Sequence, residues 1–113
     1  MNAADLARLH HMLDAAQEAI LFAKGKTLEH LEQDRMLLLS LVKEIEIIGE
    51  AATRISPEGR AAVVGIPWPQ MMAMRNRLTH GYFDWDPERI WDTVISDLPD
   101  LVRGLEQALA SFS

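Results

Sequence analysis

Eight consecutive residues, Arg75-Asn76-Arg77-Leu78-Thr79-His80-Gly81-Tyr82, bring guanidinium, amide, imidazole and phenol groups together. A guanidinium can hold a phosphate through paired N–H bonds, an imidazole moves protons near neutral pH, and a phenol offers a hydroxyl for modification. No other stretch of the chain concentrates chemistry in this way.

The element that carries these groups reads as a helix from Trp68 to Thr79, entered through Pro67-Trp68-Pro69, since proline suits a first helical turn. At about 100° per residue, Trp68, Met71, Met72, Met74, Arg75 and Leu78 share an arc of roughly 160°, the face that should be buried. Asn76, Arg77 and His80 fall outside it. A guanidinium on an apolar face is costly without a partner, so Arg75 must meet a carboxylate, a carbonyl or an anionic ligand. Glu46 and Glu50 on the preceding helix are the candidate carboxylates. A structural ion pair and a functional arginine both satisfy this requirement.

Five residues separate Arg75 from His80, about 140° on a regular helix, which points them apart. They converge if the helix ends near Thr79 and Gly81 makes a left-handed turn, or if a two-fold axis places both chains' sets in one groove. A histidine before a glycine can also be a simple C-terminal cap that complements the helix dipole.

Composition limits what such a site belongs to. A chain of 113 residues with 49% apolar content makes one globular domain, 1–113. Cysteine is absent, which removes disulfides and thiolate metal sites and suits a reducing, cytoplasmic setting. The N-terminus Met1-Asn2-Ala3-Ala4-Asp5 lacks the pattern of a signal peptide, and no apolar stretch is long enough to span a bilayer. A net charge of −6 argues against broad nucleic-acid binding but allows a local groove where Arg75 and Arg77 grip a few phosphates. His10 and Asp14 can face one another at i, i+4, without a third metal ligand in view.

Apolar residues recur at helical spacing throughout. Leu6, Leu9, Leu13, Ala16 and Ile20 mark a helix from about Asp5 to Lys24, stopped at Gly25. Thr27 caps a short turn through His30, and Asp34 begins a long helix reaching Arg54 with the stripe Leu38, Leu41, Ile45, Ile48 and Ala52. Leu37, Val42 and Ile47 widen that face, so this helix should touch more than one neighbour. Ser56-Pro57-Glu58-Gly59 reads as a turn before a short helix. Asp86-Pro87-Glu88 starts the last helical run, which Pro99 should kink or split. Trp68, Trp85 and Trp91 read as packing anchors. The expected fold is all-α, a bundle of four or five helices.

The pattern R-N-x3-H-x-Y from Arg75 to Tyr82 is followed by Phe83-Asp84 and a tryptophan-bearing helix. It is preceded by Glu46-Ile47-Ile48-Gly49-Glu50-Ala51 and by Ile66-Pro67-Trp68. Together these resemble the HepT-like branch of the HEPN superfamily over nearly the whole chain. The resemblance implies a HEPN-like two-fold homodimer with both R-x4-H elements facing a shared cleft. It implies a toxin that cleaves RNA as an endoribonuclease needing neither metal nor cofactor, with Arg75 and His80 catalytic. Asn76 would support them, while the RNA contact of Arg77 rests on the patch it can make with Arg75. It further implies a minimal nucleotidyltransferase antitoxin as partner, able to transfer AMP to Tyr82. A second reading keeps the dimer but makes it a non-catalytic partner of that nucleotidyltransferase, with Arg75, His80 and Tyr82 presenting a nucleotide. A purely structural dimer leaves Arg75 unexplained.

Overall fold

Capping side chains set most of the helix limits. In a computed structural model, which describes residues 1–80 and 85–112 (His80 through its backbone alone), Asn2 Oδ1 accepts from the Asp5 amide at 2.7 Å and opens α1, Ala3–Ala23. Gly25, at φ +75°, turns the chain after it. Thr27 and His30 form a reciprocal capping box at the head of α2, Leu28–Gln33, which runs further than the single turn expected. Asp34 caps α3, Arg35–Arg54. Ser56 caps α4, Pro57–Ala62, so the helix begins within the stretch read as a turn. α5 runs Trp68–His80. Asp86 caps α6, Pro87–Asp92, which continues through a π-helical turn, Thr93–Asp97, into α7, Leu98–Ser111.

The π turn is the form the proline break takes. Pro99 lacks an N–H, and its ring would press on the carbonyl four residues earlier, at Ile95. Widening the preceding turn relieves that clash without ending the helix. Val94 and Leu98 stay buried on either side while Ile95 is half exposed.

The architecture is all-helical among the described residues. α1 packs along α3 and against α7, and the short α2 bridges α3 and α6. The buried seam of α1 is Leu9, Met12, Ala16, Ala19 and Ala23, displaced from the expected stripe, with Leu6, Leu13 and Ile20 on its flanks. Alanines let the neighbouring helix approach, and the larger side chains fill the sides. α3 is central, packed against α1 on one side and α5 on the other, as its widened apolar face foretold. Trp68 anchors the start of α5, its Nε1 donating to the Val63 carbonyl at 3.2 Å. Trp85 ties back to the end of the same helix, donating to the Leu78 carbonyl at 3.0 Å. No helix of the described residues is long and apolar enough to cross a membrane.

Two buried acids join helices. Asp5 accepts from the Ser56 amide at 2.9 Å and from its hydroxyl at 2.5 Å, fastening the start of α1 to the α3–α4 corner. Those bonds hold its carboxyl below the usual range. Glu44 has the opposite environment. It lies on α3 amid Leu41, Ile45 and Ile48, is 5% exposed, and keeps one oxygen without a partner. Burial first, then the hydrogen bond and charge of Glu18 on α1, pushes its carboxyl from 4.5 up to about 7.

A raised acid binds more protons folded than unfolded, so Glu44 costs stability as pH climbs from its unfolded value of 4.5 through about 7. Glu44→Gln should therefore raise the melting temperature at about pH 8, with the gain shrinking toward about pH 4; calorimetric melts across that range check it. The α3–α5 contact gives a second test. A Cβ added at Gly49 would lie 2.2 Å from the Arg75 Cβ and 2.9 Å from the Met71 carbonyl oxygen. Alanine favours helix interiors by about 1 kcal/mol over glycine, yet Gly49→Ala should destabilise by about 1–3 kcal/mol through the clash. Urea unfolding measures the sign.

Candidate active site

The site grows from the way α5 docks. Among the described residues α3 is the one helix that α5 packs against extensively. With a single broad contact, Trp68 and Leu78 are the buried members of α5 among its described side chains, and Met71, Met72, Met74 and Arg75 are half-buried. The predicted arc is the inward one; Asn76 and Arg77 are exposed, as expected of residues outside it. At Gly49 the two helices approach closely, with Arg75 packed directly over the glycine.

From there the guanidinium reaches Glu50. Arg75 Nη2 donates to Glu50 Oε2 at 2.6 Å, and Nη1 donates to Asn76 Oδ1 at 2.8 Å. The other oxygen of Glu50 accepts from Arg54 Nε at 3.0 Å. Of the two carboxylates weighed from the sequence, Glu50 is the partner. The hydrogen bond from Arg54 chiefly, with the positive charge of Arg75, holds the Glu50 carboxyl below its ordinary range despite partial burial. Arg75 retains 29% of its side-chain surface open to solvent. A guanidinium has five N–H donors, and two are committed among the described residues, which leaves donors able to take an anion.

His80 is the last residue of α5, so helical geometry continues past Thr79, where the sequence suggested an end. Backbone positions 75 and 80 consequently lie about 140° apart. The side chain of His80, the turn at Gly81 and the phenol of Tyr82 lie outside the described residues. What is fixed is the frame, with Trp85 bonded back to Leu78 on the far side of the segment.

Arg77 does not share the Arg75 surface. It lines a separate cleft of 540 Å³ on the other flank of α5, with Arg89 of α6 and with Ile45, Ile48, Met71 and Met74. Three aspartates of the last helical run line it as well. Positions 75 and 77 differ by about 200° around the axis, which is why the two arginines of the motif part company.

Sequence reading missed Arg54, Gly49 and Arg89. The Glu50–Arg54 pair was available as an i, i+4 spacing on α3. Nothing local marks Gly49 as a crossing point, because that depends on which helix lies over it.

The ribonuclease HepT-like family matches residues 12–108. A protein of Caldanaerobacter subterraneus subsp. tengcongensis, named as a candidate RNase, is 32% identical over 101 residues, covering 89% of this chain and 90% of its own. A candidate RNase of Methanocaldococcus jannaschii is 31% identical over 98 residues, covering 87% and 90%. A protein of Thermococcus cleftensis named probable ribonuclease HepT is 37% identical over 74 residues, 66% of this chain and 67% of its own. No solved structure matches. With an all-helical fold, an R-x4-H element on α5 and a match over most of its length, this chain belongs to the ribonuclease HepT-like family.

Proposed function

We propose that this chain is a metal-independent endoribonuclease, the toxin of a toxin–antitoxin pair, working as a two-fold homodimer. The observation that carries this reading is Arg75: a guanidinium braced by Glu50 and Asn76 and still partly exposed to solvent, on the helix that ends in His80. The candidate-RNase names of the relatives support the same substrate class.

RNA carries its own nucleophile. A base removes the proton of a 2′-OH, the O2′–P bond forms, the P–O5′ bond breaks, and an acid protonates the departing oxygen. The products are a 2′,3′-cyclic phosphate and a 5′-OH, with no oxidant, cofactor or metal required by the balance. An imidazole can supply either proton transfer. Arg75 would donate paired N–H bonds to the phosphoryl oxygens, where negative charge builds as the bond forms. Since positions 75 and 80 diverge on one helix, a two-fold pairing of α5 helices is the arrangement that lets one chain's arginine serve a phosphate near the other's histidine. Arg77 falls outside this set; with Arg89 it offers contacts to RNA beyond the cut.

Arg75→Ala and His80→Ala should each lower cleavage of single-stranded RNA by about 10²–10⁴-fold in EDTA, while helical circular dichroism and dimer mass by light scattering stay unchanged. Full activity in both variants, or activity that EDTA abolishes, overturns the mechanism. Tyr82 is the proposed control point. A minimal nucleotidyltransferase antitoxin would transfer AMP from ATP to its phenol oxygen, releasing pyrophosphate and placing an anionic phosphodiester near the residues that must hold RNA. Incubating the chain with such an enzyme from its own genome and ATP should add one AMP mass to wild type but not to Tyr82→Phe, and the modified protein should lose cleavage. Modification elsewhere, or a modified chain of undiminished activity, sinks this assignment.

A further inference from the structure

The carboxylate that meets Arg75 is divided between two arginines, and this bears on whether it blocks the site or builds it. Glu50 Oε2 takes Arg75 Nη2 at 2.6 Å and Oε1 takes Arg54 Nε at 3.0 Å. Two guanidinium groups and one carboxylate leave the trio with a single net positive charge. A lone Glu50–Arg75 pair would be neutral and would compete with phosphate for the same donors. The second arginine offsets that competition. Arg54 is itself more than half exposed, at 56%, so its role in burial is small.

Geometry points the same way. Gly49 lets the Arg75 backbone lie against α3, and Glu50, one residue on, catches the end of its side chain. Asn76 holds the other terminal nitrogen at 2.8 Å. Both ends of the fork are therefore fixed, by partners from two helices, while its remaining donors stay available. An arginine has much rotamer freedom to lose when it must aim at a transition state; here two hydrogen bonds restrict that freedom before any ligand arrives.

We infer that Glu50 is a positioning residue for Arg75, fixing the direction of its guanidinium through the reach of its side chain, with Arg54 dividing the Glu50 charge so that the arginine remains able to bind an anion. This rests on the reading of Arg75 as the group that contacts the RNA phosphate. Misplacing such a group by about 1 Å can cost around 10²-fold in rate.

Reach and charge separate experimentally. Glu50→Gln keeps the length and a carbonyl oxygen that accepts from Arg75, but removes the charge. Glu50→Asp keeps the charge and is one methylene too short. Cleavage of a defined RNA oligonucleotide by the full-length dimer, measured as kcat and KM, should show Glu50→Gln within about fivefold of wild type in kcat and Glu50→Asp reduced about 10- to 100-fold. KM should not rise in Glu50→Gln, since a negative charge has left the surface. Arg54→Ala should raise KM with a smaller change in kcat, because the whole carboxylate charge then falls on Arg75. The reverse order, with Asp active and Gln inactive, would make Glu50 a charge requirement and overturn the inference. So would wild-type kcat in both. Both substitutions are conservative at a side chain 38% exposed, and circular dichroism verifies the fold. Arg75→Ala, assayed alongside, keeps the two levels distinct. If it retains full cleavage, the catalytic assignment fails; if it is inactive while both Glu50 variants match wild type, only the positioning role fails.

Discussion

The crossing of α5 over α3 at Gly49 is the constraint on which the rest of the molecule depends. Among the described residues α3 is the one helix that α5 packs against extensively, so whatever fixes that contact fixes the motif. A side chain at position 49 would occupy space taken by Arg75 and by the α5 backbone. The absence of one permits a close approach, and the Glu50–Arg75 ion pair then falls one residue from it. Packing brings the charges together, and their attraction need not draw the helices in. Partly exposed ion pairs contribute little to stability, so this one is better understood as setting a direction than as holding the bundle closed.

The remaining elements supply a platform for that helix. α1, α3 and α7 bury the bulk of the apolar side chains, and alanines along α1 allow α3 to sit close. The connector between α4 and α5 is seated by Val63, Ile66 and Trp68, with Ile66 resting against Gly104 of α7. Trp85 closes the other end. The motif segment thus departs from one tryptophan anchor and returns to another, while α5 between them lies along the outside of α3. This accounts for the open cleft on its far flank: α7 does not fill the space that a fully surrounded helix would share with it.

Much of this was legible in the sequence, and the boundary between what was and what was not has a physical cause. Caps and breakers act within a few residues, so Asn2 aside, the helix starts at Thr27, Asp34 and Asp86, the stop at Gly25 and the disturbance at Pro99 could be read directly. Periodicity fixed the inward face of α5 and with it the need of Arg75 for a partner. Periodicity could not choose between Glu46 and Glu50, because that depends on where two helices cross. Of the expected α1 stripe, Leu9 and Ala16 are buried, while Leu6, Leu13 and Ile20 flank a seam completed by Met12, Ala19 and Ala23; close packing favours small residues there, and hydrophobicity alone does not rank them first. Glu44 was legible and overlooked, since its helical angle falls between those of Leu37 and Ala51 on the buried face of α3. Arg77 shows the reverse failure. Proximity in sequence grouped it with Arg75, and two residues along a helix put it on the other side.

That separation bears on how an acidic chain can act on RNA at all. With 17 acidic and 11 basic side chains, the surface as a whole repels a polyanion. Affinity must then come from few contacts, each protected from nearby carboxylates. Arg75 is adjacent to a carboxylate, yet Arg54 takes half of it. Arg77 and Arg89, by contrast, share their cleft with three aspartates, which weaken the pull of that surface on a polyanion. Under the proposed reading, a nuclease built this way would bind weakly to nucleic acid at large and depend on groups aimed before the substrate arrives, so that binding energy is concentrated at the phosphate being cut. In the proposed reading, low general affinity would keep the chain from being titrated by bulk RNA, and the braced arginine would restore rate where a single phosphate meets the guanidinium.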